Sequence, residues 1–390
     1  MSVSNPPQQT EGNAQRPRHM FIDALKAYSG GPLKDATLKQ LWYKARWLSR
    51  LMNPFKGVEE CFMVAEGSEE GLHLQAEQVI NRLSRHERAV RQQQKVDWNK
   101  VKSHIPNTVD EVMGTEAETM TLAFFKFLQA GINSSRGDDT KDLKPVILDL
   151  IPQRYLSGPT NEHGEKCIWN SVSTSAKNEK GARGFTNKVT ACLLCPIDYL
   201  QAFDANPTEF VFSLVAQNGS FSRLDREGVP KFPSFMYNED MIEPGKLTNG
   251  LFRGPLLVAV YMFIFVSKRV AKGEKKRARK GIAETHQMEN VDPATICYAV
   301  LQTWVGISDM SEWSKTDRGV DLSMLYTALR QLLGLERGRD PWVDVTLDWW
   351  DSQVKTGGTS TQDRVTRDTE APSVLETLEI ERRQRMATLS

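Results

Sequence analysis

The sequence has few cysteines and no spacing that would join them into a disulfide framework. Its 390 residues include five cysteines, an odd number at low density. Secreted domains that depend on disulfides are short and rich in cysteine, so that class is excluded. Residues 1–18 are polar and lack the apolar stretch of a secretory signal. We therefore expect an intracellular protein, in the cytoplasm or the nucleus, with reduced thiols.

Long hydrophobic runs and an excess of one charge are also missing. The longest apolar run, 256–266, is shorter than the roughly 20 residues that a helix needs to cross a bilayer, so we expect a buried helix and no membrane partner. The 50 basic and 49 acidic residues give a net charge of +1. Any attraction to nucleic acid must therefore come from a local patch, because the whole chain has no basic field.

Recognisable catalytic signatures are absent as well. The sequence contains no phosphate-binding glycine loop, no Gly-x-Ser-x-Gly and no His-Glu-x-x-His. We predict no cofactor, and the leading hypothesis is a non-enzymatic binding module with a protein partner of unknown identity.

Cys192 and Cys195 form a Cys-x-x-Cys pair that allows three interpretations. A zinc site needs four ligands, and only His163 and Cys167 upstream could complete it. A redox pair would be expected at a helix that follows a strand. The two leucines between the cysteines favour buried structural thiols, so no metal is predicted, while zinc and redox roles remain open alternatives.

Apolar spacing predicts a mainly α fold with a bundle-like core, an irregular middle region and disordered tails. A first helix should follow Asp35 and end at Asn53-Pro54, and a second should cover about 72–97. Gly131 and Asn133 are predicted to end a later helix, and Asp138-Asp139 to begin another. The predicted divisions are a tail at 1–18, a helical region at 19–105, a core at 106–354 and a tail at 355–390.

The C-terminal third carries the clearest helix signals. Asp-Pro pairs at 292–293 and 340–341, and Asp321, supply N-caps. These three helices should pack with an apolar helix at 255–267. In the middle region, 210–215 fits either a strand or a helix, and 232–237 should be extended. The predicted core positions are Ile296, Val300, Trp304, Leu325, Leu329 and Trp350.

Six motifs between about 106 and 354 occur in a characteristic order and spacing. They are Arg183-Gly184-Phe185 with Cys195-Pro196, Pro233 with Tyr237, Gly250-Leu251-Phe252-Arg253, Arg279-Lys280-Gly281 with His286-Gln287-Met288, Trp313-Ser314-Lys315-Thr316-Asp317, and Trp349-Trp350 with Gln353. In these motifs the chain resembles an uncharacterised protein family of mushroom-forming (basidiomycete) fungi, although Gly254 stands where that family has serine.

The resemblance implies a fungal, intracellular, multi-copy protein and supplies no reaction. It also singles out the motif positions as candidate functional residues. These are Arg183, Gly184, Phe185, Cys195, Arg253, His286 and Asp317. An enzyme with an unrecognised site around Arg253, His286 and Asp317 is therefore one alternative function.

One dense basic run lies at 268–280, with eight basic residues and one acidic residue in thirteen. Such runs bind phosphate, serve as nuclear import signals, or are simply solvated loops. A nucleic-acid-associated or mobile-element-related protein is the other alternative function. The candidate residues of this run are Lys268, Arg269, Lys272, Lys275, Lys276, Arg277, Arg279 and Lys280.

Overall fold

The computed structural model describes most of the chain between residues 36 and 356. These described residues are mainly helical, as predicted. The described residues are 33, 36–61, 92–97, 99–100, 117–160, 166–168, 179–216, 222–225, 228–242, 248–273, 281–286, 288–334, 338 and 340–356. The predicted tail at 1–18, nearly all of the tail at 355–390 and most of the predicted helix at 72–97 lie outside them. The chain divides into two compact units after Gly137. The domain boundary expected at 105–106 stays a prediction.

The first unit is built on α1 (Ala36–Leu48) and most of α2 (Ala117–Leu143). The predicted helix after Asp35 is α1, although it ends at Leu48 and not at Asn53-Pro54. One apolar face of α1 packs against α2 because their buried positions recur at helical spacing. The shared core contains Leu38, Leu41, Ala45, Leu48, Met52, Val58, Cys61, Phe124, Phe125, Phe127, Leu128 and Ile132.

The expectation that Gly131 and Asn133 end a helix, and that Asp138-Asp139 begin another, is wrong. Helix α2 continues through all four residues to Leu143. A Cβ at Gly131 would lie 2.7 Å from the Cβ of Ala45, so this glycine permits close approach of α1 and α2. The helix ends where the residue before Pro145 disfavours helical geometry.

The second unit begins with short elements. Two 3₁₀ turns, Ile147–Leu150 and Gln153–Leu156, precede an antiparallel hairpin of β1 (Ser157–Thr160) and β2 (Lys166–Ile168). Further 3₁₀ turns cover Lys180–Ala182, Gly184–Thr186, Ile197–Tyr199, Ser234–Met236 and Glu239–Met241. Segment 232–237 is therefore not wholly extended, because Pro233 begins a 3₁₀ turn at its centre.

Three helices follow one another between 188 and 216. They are α3 (Lys188–Leu194), α4 (Leu200–Ala205) and α5 (Pro207–Ala216). The ambiguous segment 210–215 is helical, because Asn206 caps α5 by accepting a bond from the Glu209 amide at 3.3 Å.

The apolar run expected as one helix is divided. It forms α6 (Pro255–Tyr261) and a π-helical turn (Met262–Val266), and Ser267 then starts the short α7 (Lys268–Ala271). Ser267 interrupts the helix because its backbone is extended and its side chain caps the Arg269 amide. Helix α8 (Ile282–Thr285) comes next.

The core of the second unit is the wholly buried helix α9 (Pro293–Ile307). It packs against α6 and α10 (Leu322–Leu333), which follows the hairpin β3 (Thr316–Asp317) and β4 (Val320–Asp321). Helix α11 (Pro341–Thr356) brings the Trp350 ring 4.7 Å from Tyr261 of α6. The predicted packing is confirmed, since all six predicted core positions are at most 2% exposed.

No helix within the described ranges is both long enough and apolar enough to cross a membrane.

Gly131→Ala should destabilise the protein by about 1–3 kcal/mol, because the new methyl group overpacks against Ala45. The matched control is Gly137→Ala on the same helix, where a Cβ meets nothing within 4 Å. That variant should be neutral or up to about 1 kcal/mol more stable. Adding Ala45→Gly should recover part of the Gly131→Ala loss in urea unfolding. Equal effects of the two alanine substitutions would contradict the close-approach role.

Trp304→Ala should lower the free energy of unfolding by about 3–5 kcal/mol, because it leaves a large cavity beside α9. Phe212→Ala is the control, because Phe212 of α5 is 72% exposed. Its effect should stay within about 0.5 kcal/mol. Denaturant unfolding of both variants measures the difference, and similar losses would show that Trp304 is not a core residue.

Candidate functional site

The Arg183-Gly184-Phe185 motif closes the ends of two helices. Arg183 is fully buried and donates to the Gly306 carbonyl at 2.7 Å and to the Lys144 carbonyl at 2.9 Å. Those carbonyls belong to the last turn of α9 and to the residue after α2, where orphan acceptors collect. Burial lowers the pKa of Arg183. The guanidinium therefore serves as a shared C-terminal cap for the two helices.

Gly184 and Phe185 contact residues of other segments. Gly184 has φ +63°, and a Cβ there would lie 3.1 Å from the Asp309 amide nitrogen. The Thr190 hydroxyl donates to the Gly184 carbonyl at 2.6 Å. Phe185 lies beneath the Arg223 guanidinium, 5.3 Å from the ring centroid. The motif thus joins the loop before α3 to the segment after α9.

Asp317 of the Trp313–Asp317 motif is a buried acceptor. It is 5% exposed and accepts from the Trp304 indole nitrogen at 2.7 Å. Arg223 donates to its backbone oxygen at 2.6 Å and also to the Arg318 backbone oxygen. Because Arg223 also covers Phe185, it brings the Arg183–Phe185 motif and Asp317 together.

Arg318 and Asp309 complete this group of charges. Arg318 has φ +46° at the tip of the β3–β4 hairpin, and its guanidinium forms an ion pair with Asp309. We call the group the Arg183 cluster. It consists of Lys180, Arg183, Arg223, Asp309, Asp317 and Arg318.

Lys180 is the least expected member of the cluster. It is 7% exposed, and its ammonium group donates to the Met310 carbonyl. Its pKa is lowered to about 8, chiefly by burial and also by the nearby charges of Arg183 and Lys144, while Asp309 and Asp317 oppose the shift. The fold therefore holds a lysine that loses its proton far more readily than an exposed one.

The two cysteines of the Cys-x-x-Cys pair are buried free thiols at the end of α3. Burial raises the pKa of both thiols, and the charge of Asp204 adds to the shift. Cys195 donates to the Pro196 carbonyl at 3.4 Å. Among the described residues no His, Cys, Asp or Glu group could hold a metal. His163 and the Cys167 side chain lie outside these residues, so the zinc alternative is not tested.

Arg253 lies in a different environment. Its guanidinium is 5.2 Å from the Trp349 ring centroid and 4.0 Å from the Met241 sulfur. Backbone bonds join its loop to the Pro233–Tyr237 motif, because Asn238 donates to the Gly250 carbonyl at 2.9 Å and Gly254 to the Met236 carbonyl at 3.1 Å. The structure thus brings together three motifs of the resemblance around Arg253.

His286 is the C-cap of α8 and is half-buried. Among the described residues, Arg253 contacts Trp349 and Met241, whereas Asp317 accepts from Trp304. Two of the three residues of the enzyme alternative therefore have different partners.

The basic run is only partly within the described residues. Lys268, Arg269 and Lys272 are exposed on and just after α7, and Lys268 pairs with Asp142 at 3.0 Å. The remaining candidates, Lys275, Lys276, Arg277, Arg279 and Lys280, lie outside.

Sequence reasoning missed Lys180 and Arg223. Neither belongs to a motif, and both become significant only because the fold buries Lys180 and places the half-buried Arg223 against Asp317. The one signal available was the spacing of Lys180 three residues before Arg183, within the irregular stretch before α3.

A protein-family model matches residues 130–355, and its description reads Family of unknown function (DUF6698). Comparison with curated proteins finds no match, and comparison with solved structures finds none either.

The Lys180→Met variant should reveal the lowered pKa of Lys180. The unfolded chain keeps the ordinary value of 10.5, so it binds more protons than the folded chain between about pH 8 and 10.5. The wild type should therefore gain stability as the pH rises through that window. Lys180→Met lacks this gain. The variant's free energy of unfolding minus that of the wild type should therefore be on the order of 2 kcal/mol more negative at pH 10 than at pH 7.

Exposed Lys188 supplies the control, because Lys188→Met on α3 should change little at either pH. Urea unfolding at the two pH values gives both differences. A pH-independent difference for Lys180→Met would contradict the lowered pKa.

Proposed function

We propose that the chain, which belongs to the Family of unknown function (DUF6698), is a non-enzymatic interaction module that acts inside the cell. Since the description of the family carries no activity, the proposal rests on the chain's own residues. The fungal origin implied by the motif resemblance is part of the same proposal.

The observation that carries this proposal is the use of the motif side chains for internal contacts. Arg183 caps two helices, Asp317 holds Trp304, and Cys195 is buried with a raised pKa. A nucleophile or a general base must reach a substrate. These residues are instead occupied by backbone and core partners, which favours binding over catalysis.

The contact surface that we propose is the basic run 268–280. Lys268, Arg269 and Lys272 are exposed at its start, and the sequence adds five more basic residues within the next eight positions. With a whole-chain charge of +1, this run is the strongest local attraction for an anionic partner. Nucleic acid is the candidate partner that this charge density favours.

Charge reversal tests the proposal on the full chain. Lys275, Lys276, Arg277 and Arg279 are changed to Glu, and retention on immobilised duplex DNA and on polyglutamate is measured at about 50 mM salt, where phosphate contacts are strong. We expect the wild type to be retained on DNA with a steep salt dependence, a log–log slope of about −0.9 for each phosphate neutralised. The reversed variant should lose this retention.

The matched control reverses four exposed lysines outside the run and changes the net charge equally. They are Lys39, Lys44, Lys126 and Lys188. If only net charge matters, both variants lose retention together, and the run is not the contact surface. This assignment would also be overturned if the wild type were retained neither on DNA nor on polyglutamate. A nuclear fluorescent fusion that redistributes after the reversal would then identify an import signal.

A further inference from the structure

We propose that Arg253 binds an oxyanion, either a carboxylate or a phosphate group of a ligand, at a site supported by Trp349. This site is separate from the basic run and goes beyond the proposed function. The guanidinium contacts an aromatic ring and the Met241 sulfur, and no oxygen atom of the described chain binds it. By contrast, Arg183, Arg223 and Arg318 all donate to oxygen atoms.

The charge of Arg253 is partly buried, and no counter-charge lies beside it among the described residues. Burial lowers its pKa, and no described acidic side chain offsets the shift. Asp240, the residue before Met241, is already engaged, because its carboxylate binds Arg154 at 2.7 Å. Removing a cation from water without a partner is unfavourable, and an incoming oxyanion relieves that cost. The planar guanidinium fork also matches the geometry of carboxylate and phosphate.

Trp349 gives the guanidinium a fixed platform. The Arg253 guanidinium lies over the indole ring, 5.2 Å from its centroid, and a cation in this position is attracted by the ring. Trp349 belongs to α11, whose next residue, Trp350, is fully buried. The platform is therefore anchored in the core rather than carried on a loop.

The loop that carries Arg253 is held in an unusual conformation. Gly250 has φ +72°, and Phe252 has φ +62°, which is rare for a residue with a side chain. The Phe252 ring is buried and lies 6.2 Å from Trp342, so core packing maintains this conformation. A Cβ at Gly254 would lie 1.9 Å from the Phe235 carbonyl, so glycine is required there.

This geometry is suited to binding because the loop is ordered before any ligand arrives. Backbone strain of this kind persists where the surrounding structure imposes it, and it concentrates at binding sites. A preorganised arginine loses little further freedom on binding. The adjacent Met241 and Trp349 surfaces favour an oxyanion attached to an apolar group.

The test titrates the full chain with sodium acetate and with inorganic phosphate, each against sodium chloride at matched ionic strength. The probe is the indole N–H resonance of Trp349, assigned by its loss in Trp349→Phe. We expect a saturable shift with at least one oxyanion at about millimolar concentration, and none with chloride. Arg253→Gln should abolish the shift, and Arg253→Lys should weaken binding about tenfold because it loses the planar fork.

Arg318→Gln is the matched control, because Arg318 already pairs with Asp309 and belongs to a different loop. It should leave the shift unchanged. A response to phosphate alone identifies a phosphate ligand, and a response to acetate alone identifies a carboxylate. The proposal is overturned if neither anion exceeds chloride, or if a folded Arg253→Lys or Arg253→Gln variant binds like wild type.

The two proposals fail independently. The charge-reversed basic run should keep the Trp349 response, and Arg253→Gln should keep its retention on DNA. Loss of both properties in either variant would show that the two surfaces are one.

Discussion

Burial of α9 is the constraint on which the second unit depends, because a helix with no exposed face must find a partner for each polar group inside the protein. Its N-terminus is capped by Asp292, which accepts from the Ala294 amide at 2.7 Å. Near its C-terminus the Gly306 carbonyl accepts from the Arg183 guanidinium. The Arg183-Gly184-Phe185 motif thus meets a structural need that arises more than a hundred positions further along the chain.

The polar side chains of α9 meet the same need. Tyr298 donates to Asp139 at 2.8 Å, Gln302 donates to Tyr298 at 2.8 Å, and Thr140 donates to Gln302 at 3.1 Å. These bonds form one network with the last turns of α2. A buried network is favourable when its members are satisfied, and it specifies one arrangement of the elements. The long α2, which runs on past Gly131, is required to supply Asp139 and Thr140.

The sequence predicted the helices that have a strong local signal. Asp-Pro starts and regular apolar spacing identified α9, α10 and α11, together with their buried positions, because caps and helical periodicity are local properties. It failed at Gly131, where a glycine that serves packing resembles one that ends a helix. It also could not foresee the π turn after Tyr261, since nothing in an unbroken apolar run marks a change of helical geometry.

For the candidate sites, too, the sequence predicts only what local signals reveal. The motifs identified Arg183, Arg253 and Asp317, but residue type alone did not distinguish an arginine that caps helices from one that lacks an oxygen partner. That distinction depends on long-range neighbours: Gly306 for Arg183, and Trp349 for Arg253. Lys180 carried only the weak signal of its spacing from Arg183, because its lowered pKa arises from burial beside other cations. A cation that the fold has already satisfied contributes to stability, whereas one held rigidly without a counter-charge retains its capacity to bind. By this criterion the described part of the second unit offers Arg253, rather than the more numerous charges of the Arg183 cluster, as its site for an external anion.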